Sequence, residues 1–177
     1  RHVWERRGPL KAKPSLEQAL CIVAFLGIQD RQIPLHSSLV AERLGISTSY
    51  LKKIVQRLAA GKIVKTVSGR VGGIVLTRNP HDITLLDIFD AIEGPQSFVK
   101  NTGLVKRLFD FEQRDQFMRM YGLKNLHGEQ SVANVLATFG AAEKQYRQQL
   151  ATLSIGDILP SNGSQPLELD WTTWLTR

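Results

Sequence analysis

The 177-residue sequence has a single cysteine, Cys21. One thiol excludes an intramolecular disulfide and any metal or cluster site that needs several thiolates. No apolar run reaches the roughly 18 residues of a membrane span. The opening stretch, "RHVWERRGPLKAK", shows no charged-then-apolar leader. A soluble, cytoplasmic chain with no membrane partner is therefore expected. Four histidines and sixteen carboxylates are scattered without metal-ligand or triad spacing. No enzyme, no catalytic residue and no metal site is expected, and His36, His81 and His127 read as loop or cap residues.

The most telling absence is of negative charge. Between Glu42 and Asp82 there is no carboxylate, while the same stretch holds eight Lys or Arg. A solvated surface ordinarily mixes both signs. By segment, residues 11–80 carry a net +8, residues 81–177 a net −3 and the first ten residues +2, which together make the formal +7. A field of one sign confined to one half of the chain points to a polyanionic partner, of which nucleic acid is the commonest.

What is present is organised around helices. "PSLEQALCIVAFLGI" reads as a helix with Ser15 as cap and Gln18 three residues on, apolar nearly all round, with Cys21 expected as a small core hydrophobe. In "HSSLVAERLGISTSYLKKIVQRLAAGKIV", Ser37 or Ser38 starts a short helix that Gly45 ends. A second helix then begins at Ser47 or Thr48 and stops near Ala60-Gly61. Its apolar stripe is Leu51, Ile54, Val55 and Leu58. Two helices joined by a tight Gly-containing turn make a helix-turn-helix. Ser49, Tyr50, Lys52, Lys53, Gln56 and Arg57 lie outside the stripe, on a helix of the right width for a major groove. A plain solvated basic face is the other reading of the same residues.

"VSGRVGGIVL" narrows the choice. A nucleotide loop needs a helix after the glycines, but Val64, Thr66 and Val67 before them and Ile74, Val75 and Leu76 after them read as strands. The spacing of Gly69, Gly72 and Gly73 fits a hairpin tip carrying Arg70, suited to a phosphate or a narrow groove. Further on, Thr84 caps a helix bearing Leu85, Ile88, Phe89 and Ile92. In "SVANVLATFGAAEKQYRQQLATL", Val132, Phe139, Tyr146 and Leu153 stand seven apart, with Val135, Leu136, Ala142 and Leu150 on the same face. Such a helix packs on its own domain or on a second copy; two-fold symmetry suits a DNA reader.

The run Leu44 to Gly94, "LGISTSYLKKIVQRLAAGKIVKTVSGRVGGIVLTRNPHDITLLDIFDAIEG", resembles the Rrf2 family of bacterial winged-helix transcription factors. The resemblance extends from about Ser15 and continues weakly to Leu159. It implies a homodimeric DNA-binding regulator, in the main a repressor, mainly α with a small β-hairpin wing and a long C-terminal dimerisation helix. Carried onto this chain, the recognition positions are Ser47, Ser49, Tyr50, Lys52, Lys53 and Gln56, with the wing at 68–73. Adding the neighbouring cations, the expected DNA contacts are those six with Arg57, Lys62, Lys65, Ser68, Gly69, Arg70, Gly72 and Gly73. The expected dimer contacts are Val132, Val135, Leu136, Phe139, Tyr146, Leu150 and Leu153. Ser68 stands where the family often has an arginine, and Arg70 can take its place.

Many members of the family hold an iron-sulfur cluster on three cysteines after the "E-G" segment, and residues 95–130 here contain none. His127 cannot replace three thiolates. No iron-sulfur cofactor is expected, and the effector, small molecule or protein, is left open. The expected organisation is an N-terminal extension over 1–14, a winged helix-turn-helix over 15–94 and a linker or effector region over 95–130. A dimerisation helix over 131–159 and a tail over 160–177 follow. A different class of function fits the same pattern: an interaction module in which the winged helix is scaffold and the amphipathic helix or the Trp-containing tail is the interface.

Overall fold

The computed structural model describes residues 14–94, 97–109, 111–124, 128–163 and 165–175. The extension expected over 1–14 and His127 lie outside these, Pro14 excepted. The chain forms two compact units, one from residues 14–94 with 150–175 and one from residues 97–149.

The first unit opens with α1 (Pro14–Ile28). Ser15 lies inside this helix and is buried, rather than capping it from outside. Ala19, Ile22, Val23 and Leu26 point into the core, and only Pro14, Glu17 and Cys21 are exposed. Those three recur at i, i+3 and i+7, so they form one narrow strip along the helix. Cys21 falls on that strip, which corrects its expected place in the core: the helix is apolar on nearly all sides, but the strip that stays uncovered includes the thiol.

Helices α2 (Ser37–Leu44) and α3 (Thr48–Ala60) follow, then strands β1 (Val64–Val67) and β2 (Gly73–Leu76), a 3-10 turn at Pro80–Asp82 and α4 (Leu85–Glu93). Thr84 and Asp87 form a reciprocal capping box at the start of α4. One core joins these elements. Ile22, Leu35, Leu51, Ile54, Leu58, Ile63, Ile74, Ile83 and Ile88 are fully buried in it, each contributing about 1.5–3 kcal/mol by leaving water.

The second unit contains α5 (Leu104–Phe109), α6 (Arg114–Met120) and most of α7 (Gly128–Leu150). Ser97 donates to the Glu143 carboxylate at 3.0 Å, and the Phe98 and Tyr146 rings lie 5.6 Å apart. Among its described residues none is buried.

The chain then returns to the first unit. The long helix ends at Leu150, nine residues before the expected end at residue 159, and Leu153 lies beyond it. The heptad spacing continues there by coincidence, because residues 151–154 form a turn and then pair with the start of α4: Leu85 N–H donates to Leu153 O at 3.0 Å and Ile155 N–H to Ile83 O at 2.8 Å. Helix α8 (Ile155–Ile158) buries Ile155 completely. A short hairpin of β3 (Ser161–Asn162) and β4 (Gln165–Pro166) leads to α9 (Trp171–Leu175).

The tail docks on the chain's own body. Leu169 pairs with Gln29 in a β-bridge. The buried Gln29 side chain donates to Ile33 O and the Asp170 carboxylate and accepts from Trp171 N–H at 2.9 Å. The Trp171 indole stacks at 4.8 Å on Phe25 and donates to its carbonyl. Asp170 caps α9, and hydrogen bonds from the Thr172 hydroxyl and amide keep its carboxyl below the ordinary value.

Because Ile155 is as deeply buried as Ile88, Ile155→Ala should lower stability by about 2–4 kcal/mol, close to the cost of Ile88→Ala. Urea denaturation of both variants checks this; a loss below about 1 kcal/mol at Ile155 alone would detach the return segment from the core.

Candidate nucleic-acid interface

The α2–α3 turn is set by backbone chemistry. Gly45 adopts φ +62°, the left-handed region, and its N–H closes onto the last turn of α2. Two residues later the Ser47 hydroxyl accepts from Tyr50 N–H at 3.2 Å, capping α3, and lies 3.1 Å from the Ser49 hydroxyl. The buried stripe Leu51, Ile54, Val55 and Leu58 fixes the rotation of α3. Ser49, Lys52, Lys53 and Gln56, at i, i+3, i+4 and i+7, are consequently exposed together. Tyr50 differs from them: it is half-buried and packs against the core, so it supports the helix from its edge.

Arg57 is turned elsewhere. Its Nη1 donates to the Ile92 carbonyl at 3.3 Å, capping the C-terminal turn of α4, where a cation also meets the negative end of the helix. This separates Arg57 from the four-residue face, although its side chain is still exposed.

The end of α3 reverses an expectation about glycine. Gly61 follows the helix with φ −75°, and the left-handed residue is Lys62, at φ +55°. Lys62 N–H bonds to Ala59 O and Ile63 N–H to Leu58 O, a Schellman arrangement closed by the contact of two fully buried side chains, Ile63 and Leu58. Gly61 is needed for another reason: a Cβ there would lie 2.9 Å from the Ala91 Cβ, so it permits the close approach of α4. The left-handed turn consequently falls on a lysine, which is exposed.

Strands β1 and β2 pair antiparallel from Val64↔Leu76 to Val67↔Gly73. Leu35 adds a third strand position through two hydrogen bonds with Ile74, 2.9 and 3.0 Å long. The five-residue loop closes through Gly72 N–H to Gly69 O at 3.0 Å. Ser68, Gly69 and Arg70 are exposed at its tip, with Lys65 exposed along β1. Gly72 is buried, and a Cβ there would stand 2.4 Å from Val67 O; at Gly73 it would stand 2.5 Å from Leu35 O. The expectation that both glycines meet DNA narrows accordingly: they shape the hairpin, while Gly69 and Arg70 form its outer surface. Val71, absent from the sequence-based set, is 79% exposed at the same tip. Its signal was an apolar residue inside a turn.

None of Lys52, Lys53, Lys62, Lys65 and Arg70 has an ion-pair partner among the described residues. Five unneutralised cations surround α3 and the wing, which is the electrostatic footprint of a phosphate backbone. Of the residues expected at a dimer interface, Val135 and Phe139 are exposed on α7, and Val132, Leu136, Tyr146 and Leu150 are half-buried.

Comparison with known proteins agrees with this geometry. Residues 12–161 match the family model Rrf2, described as an iron-dependent transcriptional regulator. YwgB of Bacillus subtilis (strain 168), named as an HTH-type transcriptional regulator, is 35% identical over 103 residues, 58% of this chain and 66% of that protein. NsrR of Geobacillus kaustophilus (strain HTA426), an HTH-type transcriptional regulator, is 35% identical over 84 residues, 48% of this chain and 57% of that one. Each alignment thus spans less than two thirds of the relative. Among solved structures, CymR, the global cysteine regulator of B. subtilis, superposes with a TM-score of 0.54 at 22% identity, covering 85% of this chain and 96% of CymR. IscR of T. potens gives 0.51 at 22% identity, over 84% and 85%. Both show a shared fold.

Binding iron, as the family's description implies, requires donor side chains gathered at one place. Among the described residues no group of three or more His, Cys, Asp or Glu is arranged to hold a metal ion, and the chain's one cysteine lies on α1. This donor set does not fit a cluster held on three cysteines.

Lys62→Gly should raise stability by about 0.5–1 kcal/mol by relieving the left-handed lysine while weakening any DNA complex through the lost cation. Thermal melts and a binding titration of the same variant check both signs; a less stable Gly variant would contradict the strain.

Proposed function

The chain belongs to the Rrf2 family of transcriptional regulators, and from that premise we propose that it binds specific double-stranded DNA sites as a homodimer and represses transcription there. In this reading α3 enters the major groove with Ser49, Lys52, Lys53 and Gln56 toward base edges, and the wing carries Arg70 to the minor groove. The observation that carries it is the cationic face of α3 and the wing, which has no carboxylate within or beside it from Arg43 to His81.

Dimerisation is supported by α7. It has 23 residues, none of its described side chains is buried, and its apolar face is left for another surface to cover. An apolar face on so long a helix is stable when a partner covers it, and a second copy gives two recognition helices the spacing of two half-sites. Regulation proceeds without an iron-sulfur cluster, because one cysteine cannot supply the ligands.

The interaction-module reading uses α7 or the tail against another protein. Trp171 is already committed to Phe25 and Gln29, which leaves Trp174, 65% exposed, as the tail's free aromatic. Salt separates the two readings, since counterion release makes DNA binding fall steeply with ionic strength whereas an apolar interface changes little.

Two outcomes are expected. In a selection from random DNA, the parent chain enriches one motif with a steep salt dependence, Lys52→Ala or Lys53→Ala shifts that motif, and Arg70→Ala weakens all sequences alike; no enriched motif would refute the assignment. Phe139→Asp should convert dimer to folded monomer in sedimentation, and a dimer that persists would remove α7 from the interface.

A further inference from the structure

Residues 162–175 follow the stretch that matches the family model, yet residues 167–171 are built into the first unit through Gln29 and Phe25. The same segment walls one side of an open pocket of about 470 Å³, within the range of small-molecule sites, about 300–1,000 Å³. Its wall comes from four stretches far apart in sequence, 27–32, 79–81, 156–159 and 167–168. None of the residues assigned to DNA or dimer contacts lines it.

The charges in the wall are of both signs, and Arg31, Asp30 and Glu168 form no ion pair with one another. The Arg31 guanidinium has no ion-pair partner among the described residues. Its backbone N–H donates to Glu168 Oε1 at 3.3 Å, which fixes that carboxylate beside Arg31 without neutralising its side chain. Asp30 adds a second carboxylate, one oxygen of which accepts Gln32 N–H at 2.8 Å. Leu159, Leu167 and the buried Pro80 supply apolar wall.

Each simpler ligand meets an opposing group. A plain anion faces two carboxylates, a plain cation faces Arg31, and a purely apolar molecule engages none of these three charges, of which Arg31 and Glu168 are exposed and Asp30 half-buried. A ligand with a carboxylate, an ammonium and a short apolar arm answers all three features, and guanidinium is the side chain best matched to a carboxylate. We infer that this cavity binds a small zwitterion of the amino-acid class, its carboxylate on Arg31, its ammonium toward Asp30 and Glu168, and its side chain against Leu159 and Leu167. The site is separate from the proposed DNA face and stands independently of it.

The test is calorimetric titration of the full chain, without DNA, against the proteinogenic L-amino acids one at a time, with acetate and methylammonium as single-charge controls. Saturable one-to-one binding of at least one apolar amino acid is expected, with no binding of either control. Arg31→Gln and Glu168→Gln should each weaken it at least tenfold while leaving the thermal melt unchanged, since both side chains are at the surface. Binding by none of the amino acids, equal binding of a control, or binding that survives either substitution overturns the inference. Because DNA is absent from the experiment, its failure is distinguishable from a failure of the DNA reading.

Discussion

The burial of four side chains, Leu51, Ile54, Val55 and Leu58, fixes nearly everything that matters about the first unit. They lock the roll of α3 about its axis, and once the roll is fixed the opposite face has no freedom. Ser49, Lys52, Lys53 and Gln56 must point outward together. The same stripe supplies Leu58 to the closing contact with Ile63, from which β1 begins. The position of the wing is thus inherited from the packing of the helix. Lysines cannot be buried unpaired without a large penalty, so the polar face and the core each enforce the other.

The glycines divide between two physical demands. Gly45 is where the chain reverses with positive φ, and a Cβ there would meet nothing; the demand is conformational. Gly61, Gly72 and Gly73 lie where another backbone or side chain comes within about 3 Å of a Cβ; their demand is steric. At the end of α3 the two demands fall on adjacent residues. The steric one takes the glycine, and the conformational one is left to Lys62. That arrangement gives up some stability and puts an exposed lysine two residues before β1.

The two units rest on different physics. The first owns a closed apolar core to which α1, α4, α8 and the hairpin all contribute. The second consists of helices whose described side chains are all partly or fully exposed. Such a unit lacks the burial that ordinarily offsets chain entropy, which a surface covering the apolar face of α7 would supply.

Local chemistry was legible in the sequence. Caps at Ser47 and Thr84, the stop at Gly45, the stripe on α3, the hairpin from Val64 to Leu76 and the charge asymmetry all follow from residues within a few positions of one another. The return of 150–175 was not legible, because Ile155 against Ile83, and Trp171 against Phe25, are contacts between residues 72 and 146 positions apart that no local pattern records. The heptad through Leu153 misled for the same reason: periodicity continues through a turn when the residue beyond it serves a different contact. Cys21 misled because apolar composition says that a helix is covered, not which strip is left open. The sequence by itself determined which helices form and where positive charge accumulates, since both depend on neighbours in the chain. Only the tertiary structure decided which cations are free, which glycines are steric, and that the tail walls a cavity beside Arg31, because those depend on groups brought together by the core.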